Sequence, residues 1–591
     1  MNTAQCLIRN ADSYPNEPAL SVKDKNGQWQ TDSWSDFFDY SMQISKSLLA
    51  LGLQANDKIS IYSYNRKEWY GCYIASQMLN VAGVGVYHTC SPEEVEWVVG
   101  NSDSKIVFVG NNPMDNDETD KMPNHRLLNI IDCLTQVEKV VMMDGVDTLD
   151  HEKTITWSEF ISLGESSNES EVLSRMETIN RNDTSSLIYT SGTTGNPKGV
   201  ELSHQNWEFE LECVDKTFQF SQGERYVSWL PLAHVFGQLV DNHYWVRQAL
   251  HLHIVNSPLY VVDYAKEVKP HLFIGVPRIY EKIYSNLKAA IDGKAILRIG
   301  LKIPGLCNIF KAKLRDATGF PETRFAISGA APINPDILHL FQFLGIPIFE
   351  GYGMTENAAG ATLNYEGFNK IGSVGKALPD TEIKIADDGE ILIKGKHVMK
   401  GYYNNPEATS QTIIDNWLHT GDVGKLDDDG YISITGRKKE IYVSSGGKNI
   451  APLVIEETMK SIPLLSQCFL VGDGLKYCSA LFTLDVGAIL RDKLGVETNS
   501  IPKDPIEQLS MLQDKGYTLS DYTNSPEIKA EIQTLVDELN HKFSNPEQLK
   551  KFAILPRDFT IDDGELTPTL KIRRKQIREN WSDVIDSMYT D

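Results

Sequence analysis

Cysteine is scarce in this 591-residue chain: eight are scattered, as Cys6, Cys72, Cys90, Cys133, Cys213, Cys307, Cys468 and Cys478. None forms a C-x-x-C pair, so neither a structural zinc site nor a dithiol redox centre is signalled. Sparse, unpaired cysteines fit a reducing, cytoplasmic compartment. No stretch of about 18 apolar residues occurs, so no spanning helix is expected. The opening MNTAQCLIRNADSYP lacks the apolar region of a signal peptide. A peripheral membrane contact stays open. Positive charge is in deficit: 57 Lys and Arg against 80 Asp and Glu leave a net charge of −23. That excludes broad nucleic-acid binding, because an acidic surface repels phosphate, but it permits a local basic pocket. No repeat at solenoid spacing is present, and nothing in these features encodes an oligomeric state.

The length exceeds what one hydrophobic core supports, so at least two domains are expected. Through the first four hundred residues, short apolar runs read as buried strands at 105–109 (KIVFV), 139–142 (KVVM), 186–189 (SLIY), 226–230 (YVSWL) and 324–327 (RFAI). Helical patterns alternate with them. Ser35 is placed to cap a helix that turns Phe37, Ile44, Leu48 and Leu51 inward and stops at Gly52. Asn334–Pro335 opens another, with Ile337, Leu338, Phe341 and Leu344 inward and Gly345 as its stop. This alternation predicts mainly parallel sheets flanked by helices. After about residue 380, strand-like segments at 382–385, 390–394 and 431–434 are separated by Asp-Gly turns, which predicts a smaller β-rich subdomain. Beyond GRKKE (436–440), residues 451–461 read as a helix and 467–471 and 480–484 as strands. Residues 486–550 are polar and helical in pattern.

The strongest chemical signal is YTSGTTGNPKGV at 189–200, directly after the strand-like SLIY. Gly192, Gly195 and Gly199 let backbone N–H groups approach oxygen atoms closely. Thr190, Ser191, Thr193 and Thr194 add hydroxyls, and Lys198 adds a point charge, so the loop suits a polyphosphate. It is not Walker A, since Pro197 precedes Lys198 and Gly199 follows it. Gly83–Val84–Gly85 lacks the third glycine of a dinucleotide fingerprint and reads as packing. His251–Leu252–His253 lacks a suitably spaced third metal ligand and reads as structural.

YTSGTTGNPKGV resembles the phosphate loop of the adenylate-forming superfamily of acyl-CoA synthetases, luciferases and peptide-synthetase adenylation domains. Further segments match in the expected order: LPLAHVFGQ (230–238), GVPRIYEK (275–282), SGAAP (328–332), GYGMTE (351–356), WLHTGDVG (417–424), ITGRKKEIYVSSGGKNIAP (434–452) and ELTPTLKIRRK (565–575). The resemblance spans roughly residues 30 to 580 and is closest to the long-chain fatty-acyl branch, including its bubblegum-like members. It implies an α/β fold: a large N-terminal domain of stacked, helix-flanked sheets with a small β-rich subdomain, and a smaller mobile α+β C-terminal domain. The boundaries it implies are 1–435, a hinge at 436–439, and 440–591. It implies a long-chain fatty acid–CoA ligase that uses ATP, Mg²⁺ and coenzyme A and forms an acyl-adenylate.

The resemblance also carries roles onto this sequence. Glu356 is the Mg²⁺ ligand with Ser191 as a second metal contact, and Thr355 touches the α-phosphate. Tyr352 stacks on adenine, with Gly329 and Ala330 against its other face. Asp422 takes the ribose hydroxyls and Arg437 bridges ribose and phosphate. Lys571 is the adenylation lysine, although Thr569–Leu570 replaces the more usual Ser-Gly before it. His234 lies between acyl carboxylate and thiol path, Lys439 is the hinge residue, and Gly446, Gly447 and Lys448 border the coenzyme A path. Trp229, Phe236 and Val276 are candidate acyl-tunnel residues. Arg573, Arg574 and Lys575 either attract coenzyme A phosphates or are simply exposed. Two other readings remain at this point: delivery of the acyl group to a carrier-protein thiol, and a non-catalytic nucleotide- or lipid-binding homologue. The second is disfavoured because Lys571, Glu356 and the loop glycines are all present.

Overall fold

A computed structural model describes residues 1–112, 121–190, 196–443, 449–567 and 571–590. Two large sheets dominate the first 400 residues. In spatial order, one of eight strands runs Gly401–Tyr402, Lys198–Ser203, Thr184–Thr190, Ala82–Val86, Lys58–Ser63, Ile106–Gly110, Lys139–Met142, Thr154–Thr156. The other has nine strands, and its middle is formed by Ile348–Tyr352, Phe325–Ser328, Leu272–Gly275, Arg225–Ser228 and His251–Ile254, all parallel. These interior strands are buried at most positions, as both faces are covered. Helix Lys67–Met78 is buried at every position after Lys67, as expected of a helix packed on all sides. Gly83 and Gly85 sit in strand Ala82–Val86, and a Cβ at Gly85 would lie 2.6 Å from the Ala233 Cα, so the pair serves packing.

The helix expected to start at Ser35 is capped by Ser33 instead and runs Trp34–Ala50. Ser33 accepts from the Asp36 N–H while Asp36 reaches back to the Ser33 N–H, a reciprocal pair that Ser35 cannot make. Pro335–Leu344 forms as expected, with Asn334 accepting at its start and Gly345 left-handed at its end. Strand 226–230 is shorter than expected, Arg225–Ser228, which leaves Trp229 beyond it.

Glu382–Ile385, Glu390–Lys394, Ile413–Ile414, Trp417–Leu426 and Ile432–Arg437 make a separate five-stranded sheet. Past it, Leu465–Val471, Cys478–Leu484 and Leu549–Ile554 form a three-stranded sheet. The last strand was not anticipated: it pairs parallel to Cys478–Leu484 after helices Pro505–Asp514, Leu519–Thr523 and Pro526–Asn540. Ile528, Ile532 and Val536, one helical turn apart, anchor the longest of these. The buried clusters that reach Ile432 and those that begin at Tyr442 share no residue. Among the described residues no helix is long and apolar enough to cross a membrane.

Candidate active site

Strands Phe325–Ser328 and Ile348–Tyr352 are parallel neighbours, and the residues just past their carboxyl ends open into one cavity of about 2270 Å³. Open parallel sheets place ligands at this edge. Gly329 and Ala330 leave the first strand; Ala330 adopts φ +71°, a left-handed turn that bends the chain around the cavity rim. Tyr352 ends the second strand, followed by a tight return. A Cβ on Gly353 would lie 1.9 Å from the Ala359 carbonyl oxygen, so glycine is required there. Asn357 pins this return by accepting from the Met354 N–H at 2.7 Å and donating to the Gly360 carbonyl at 2.7 Å. Thr355 and Glu356 are buried within it and border the cavity.

Register brings the next pair together. Asp422 and Arg437 face each other on antiparallel strands, and Arg437 Nε donates to Asp422 Oδ1 at 2.9 Å. The Tyr352 hydroxyl donates to Asp422 Oδ2 at 2.8 Å. Burial, and then the Asp422 charge, push the Tyr352 phenol well above its ordinary pKa, so it stays a donor.

At the other wall, Thr190 and Lys198 are cross-strand partners at the mouth of the loop hairpin. Ser191, Gly192, Thr193, Thr194 and Gly195 lie outside the described residues. Lys198 Nζ sits 4.8 Å from the Tyr402 ring centroid, and the Tyr402 hydroxyl donates to Glu356 Oε1 at 2.8 Å. Burial raises the Glu356 pKa; the Tyr402 hydrogen bond and the Arg437 and Lys198 charges oppose it. Tyr402 was absent from the sequence reading, and GYYNNPE offers no local signal that its hydroxyl meets a carboxylate 46 residues away.

Lys571 lines the same cavity and is exposed to its space, with the cavity walls enclosing the site around it. That enclosure lowers its pKa, Arg437 lowers it further, and Asp422 and Glu356 raise it in part, so all four groups share one field. His234 caps the short helix Val235–Gly237, its Nδ1 accepting from the Phe236 N–H at 3.3 Å. Burial, then the Lys571 charge, push it down to about 3. A neutral ring whose Nδ1 accepts carries its proton on Nε2.

Lys438–Glu440 is a single 3₁₀ turn after strand Ile432–Arg437, and Lys439 borders the cavity there. Strands Tyr442–Val443 and Asn449–Ile450 pair antiparallel and flank Gly446, Gly447 and Lys448, which are outside the described residues. Of the basic trio, Arg574 is not a free cation. It donates to both oxygens of buried Glu456, at 2.8 and 2.5 Å, and to Glu440 at 3.0 Å, because it opens the helix packed against these elements. Arg573 donates to Glu94 at 3.1 Å, and Lys575 is exposed.

Val214, Phe218, Leu239, Val240 and Ile274 line an apolar part of the cavity, joined by Phe236 and Val276. Trp229 does not join them; its indole N–H is held by the Ile274 carbonyl at 2.8 Å. Two carboxyls in the wall were not anticipated. Burial raises Glu210 well above the carboxylate range and raises Glu350 to about 7. Glu210 is one of several acids in helix His204–Thr217 and Glu350 a lone acid in strand Ile348–Tyr352, and neither setting signals a cavity-facing carboxyl. His251 and His253 lie in the nine-stranded sheet, where His251 Nε2 is 2.8 Å from the Ser21 hydroxyl. Among the described residues no group of three or more potential metal ligands occurs.

A profile of AMP-binding enzymes matches residues 7–403. The long-chain-fatty-acid–CoA ligase FadD15 of Mycobacterium bovis is 33% identical over 95% of this chain and 93% of its own length. The long-chain-fatty-acid–CoA ligase ACSBG2 of Gallus gallus is 32% identical over 98% of this chain and 80% of its own. Among solved structures, the anthranilate CoA ligase AuaEII, in complex with anthranoyl-AMP, superposes with a TM-score of 0.73 at 18% identity. That match covers 99% of this chain and 98% of the ligase. The adenylation domain of a carboxylate reductase from Mycobacterium chelonae gives 0.76 at 17%, covering 100% and 91%. At such identities the structural matches concern the fold alone.

Proposed function

The chain belongs to the AMP-binding enzyme family, and from that premise we propose that it is a long-chain fatty acid–CoA ligase that works through an acyl-adenylate. Full-length similarity to long-chain-fatty-acid–CoA ligases supports the reaction class. The observation that supports the site assignment is that Lys571, Arg437, Asp422 and Glu356 line one cavity.

In the first half-reaction the fatty carboxylate oxygen bonds to the α-phosphorus of ATP and the bond to the β-phosphate oxygen breaks, releasing pyrophosphate. Lys571, reaching into the cavity, supplies positive charge where oxygen charge builds up. The Thr190–Lys198 hairpin mouth holds the phosphates. Asp422, positioned by Tyr352 and Arg437, receives the ribose hydroxyls as a charge-assisted acceptor. Gly329, Ala330 and Tyr352 bracket the base, and Thr355 meets the α-phosphate. Glu356 is the residue that would hold Mg²⁺, with Ser191 contributing. A carboxylate beside a triphosphate fits an ion that prefers hard oxygen and takes few protein ligands. When bound, that ion neutralises phosphate charge.

In the second half-reaction the coenzyme A thiol gives its proton to solvent water, its sulfur bonds to the acyl carbon, and the carbon–oxygen bond to AMP breaks, releasing AMP with its phosphate oxygen anionic. Neutral His234 offers its Nε2–H beside the acyl carbonyl. Division at 436–439, with rotation about Lys439, removes Lys571 and presents Gly446, Gly447 and Lys448 to the thiol. The apolar wall from Val214 to Ile274 takes the acyl chain. Pyrophosphate–ATP exchange with palmitate, followed by coenzyme A-dependent AMP release, tests the reading. Exchange without thioester formation would move the acceptor to a carrier thiol, and no exchange with any fatty acid would overturn the assignment. Lys439→Pro separates the halves: adenylation continues while thioester formation slows at least tenfold. Equal slowing of both sinks the hinge.

A further inference from the structure

The segment between helix Pro277–Gly293 and helix Leu306–Thr318 breaks the burial pattern of the rest of the fold. Ile296 is 74% exposed, Ile299 56% and Ile309 53%, and Ile303, Leu306 and Phe343 are exposed with them. Ile296 and Ile299, three residues apart, lie on one side of the short helix Ala295–Gly300, and Ile303 is exposed in the turn that follows. The opposite side is anchored. A Cβ on Gly300 would lie 2.1 Å from the Phe310 ring, so this helix presses on Leu306–Thr318, and Leu301 packs against the main core. The exposed isoleucines are therefore held outward by packing. Phe343 flanks the segment, with Lys311 Nζ 3.9 Å from its ring centroid.

Charge here runs against the rest of the molecule. Residues 288–313 carry six basic side chains (Lys288, Lys294, Arg298, Lys302, Lys311 and Lys313) and one acid, Asp292, in a chain of net −23. Five of them, from Lys294 to Lys313, are interspersed in sequence with the exposed apolar residues, and all six but half-buried Lys311 are exposed. An apolar cluster interspersed with long basic side chains has the composition of a face that lies in a lipid headgroup layer. The isoleucines enter the acyl boundary, and the ammonium and guanidinium groups pair with anionic headgroups. The acidic remainder of the chain, by contrast, is repelled by an anionic surface.

We infer that this face, Ile296 to Ile309 with Phe343, is a docking surface for an anionic lipid bilayer. Helix Pro277–Gly293 begins in the cavity wall at Pro277 and Arg278 and leads into this segment, so the helix separates its cavity end from the docking segment by at most about 25 Å. The use of such a position, collecting acids that partition into membranes, rests on the proposed ligase activity; the docking does not.

The test uses the full chain without ATP or acid, so its outcome is independent of turnover. The chain is floated with vesicles of phosphatidylcholine alone or of phosphatidylcholine with phosphatidylglycerol. Binding is expected to the anionic vesicles, to weaken with added salt, and to fall about tenfold in Ile296→Ser/Ile299→Ser/Ile309→Ser. The variant Lys294→Glu/Arg298→Glu/Lys302→Glu should lose binding to a similar degree while keeping its melting temperature, which covers the case in which the serine variant fails to fold. Absence of flotation with anionic vesicles overturns the inference. So does binding unaffected by both variants, or a self-association in light scattering that the same variants abolish while vesicles are ignored, which would make the face a protein interface.

Discussion

The Tyr402 hydroxyl donates to Oε1 of Glu356 at 2.8 Å. Backbone pairing fixes the relationship: Tyr402 sits opposite Val200 at the sheet edge, and the Met399 N–H is held by the Glu356 carbonyl at 2.8 Å. Burial makes the ionised Glu356 expensive, and Tyr402 offsets part of that by stabilising the charged form.

Tyr402→Phe should therefore raise the Glu356 pKa further above its ordinary value. In its proposed role Glu356 must be ionised to hold Mg²⁺, so the acid limb of kcat/KM against pH should move upward. The Mg²⁺ concentration for half-maximal activity should rise with it. A lower rate with an unmoved acid limb and unchanged Mg²⁺ dependence would show that Tyr402 only packs.

Lys571→Ala should reduce pyrophosphate–ATP exchange by about 10² to 10³-fold, the range for removing one preorganised charge from a transition state. ATP affinity should stay within several-fold, because the loop and the Asp422 side hold the nucleotide. Thioester formation from preformed acyl-adenylate should stay within about tenfold of wild type. Exchange close to wild type would remove Lys571 from the chemistry, whatever its place in the cavity.

Much of this arrangement was legible in the chain, and the parts that were not share a cause. Asn334, Pro335 and Gly345 announce their helix because cap chemistry is local, while Ser33 rather than Ser35 starts an earlier one because the deciding partner, Asp36, lies three residues on. Motif order pointed to Tyr352, Glu356, Asp422, Arg437 and Lys571, which the structure places around one cavity. What stayed hidden depends on long-range packing. Strand Leu549–Ile554 is recognisable only through its parallel partner, Cys478–Leu484. Arg574 reads as surface charge until helix Pro452–Met459 brings Glu456 against it. Tyr402 and Glu210 gain meaning only from residues far away in sequence.

Arg574→Ala should destabilise the C-terminal unit by about 3 kcal/mol, because it strands a carboxylate that is only 3% exposed. The Leu470 N–H, 2.7 Å from Glu456, is too weak a partner alone. Adding Glu456→Gln should recover part of the loss by removing the unpaired charge. Melting temperature, with hydrogen exchange in strands Leu465–Val471 and Cys478–Leu484, reports both effects. A single variant as stable as wild type contradicts the pairing, and an additive double variant contradicts the coupling.

Asp241 provides a pH signature of folding that is independent of catalysis. Burial raises its pKa to about 8, opposed by a hydrogen bond from Ser228. In the unfolded chain the group titrates near about 3.9. Between these values the folded state keeps a proton that the unfolded state releases, so stability falls as pH rises from about 4 to about 8 and levels off above. Asp241→Asn keeps a neutral side chain of the same shape that can still accept from Ser228. It should match wild type near pH 4 and exceed it by roughly 5 kcal/mol near pH 8, at about 1.36 kcal/mol for each unit between the two pKa values. Urea unfolding at the two pH values reads the difference directly. A variant equally stabilised at both, or destabilised at the higher pH, would mean that Asp241 is ionised and paired in the native protein across this range.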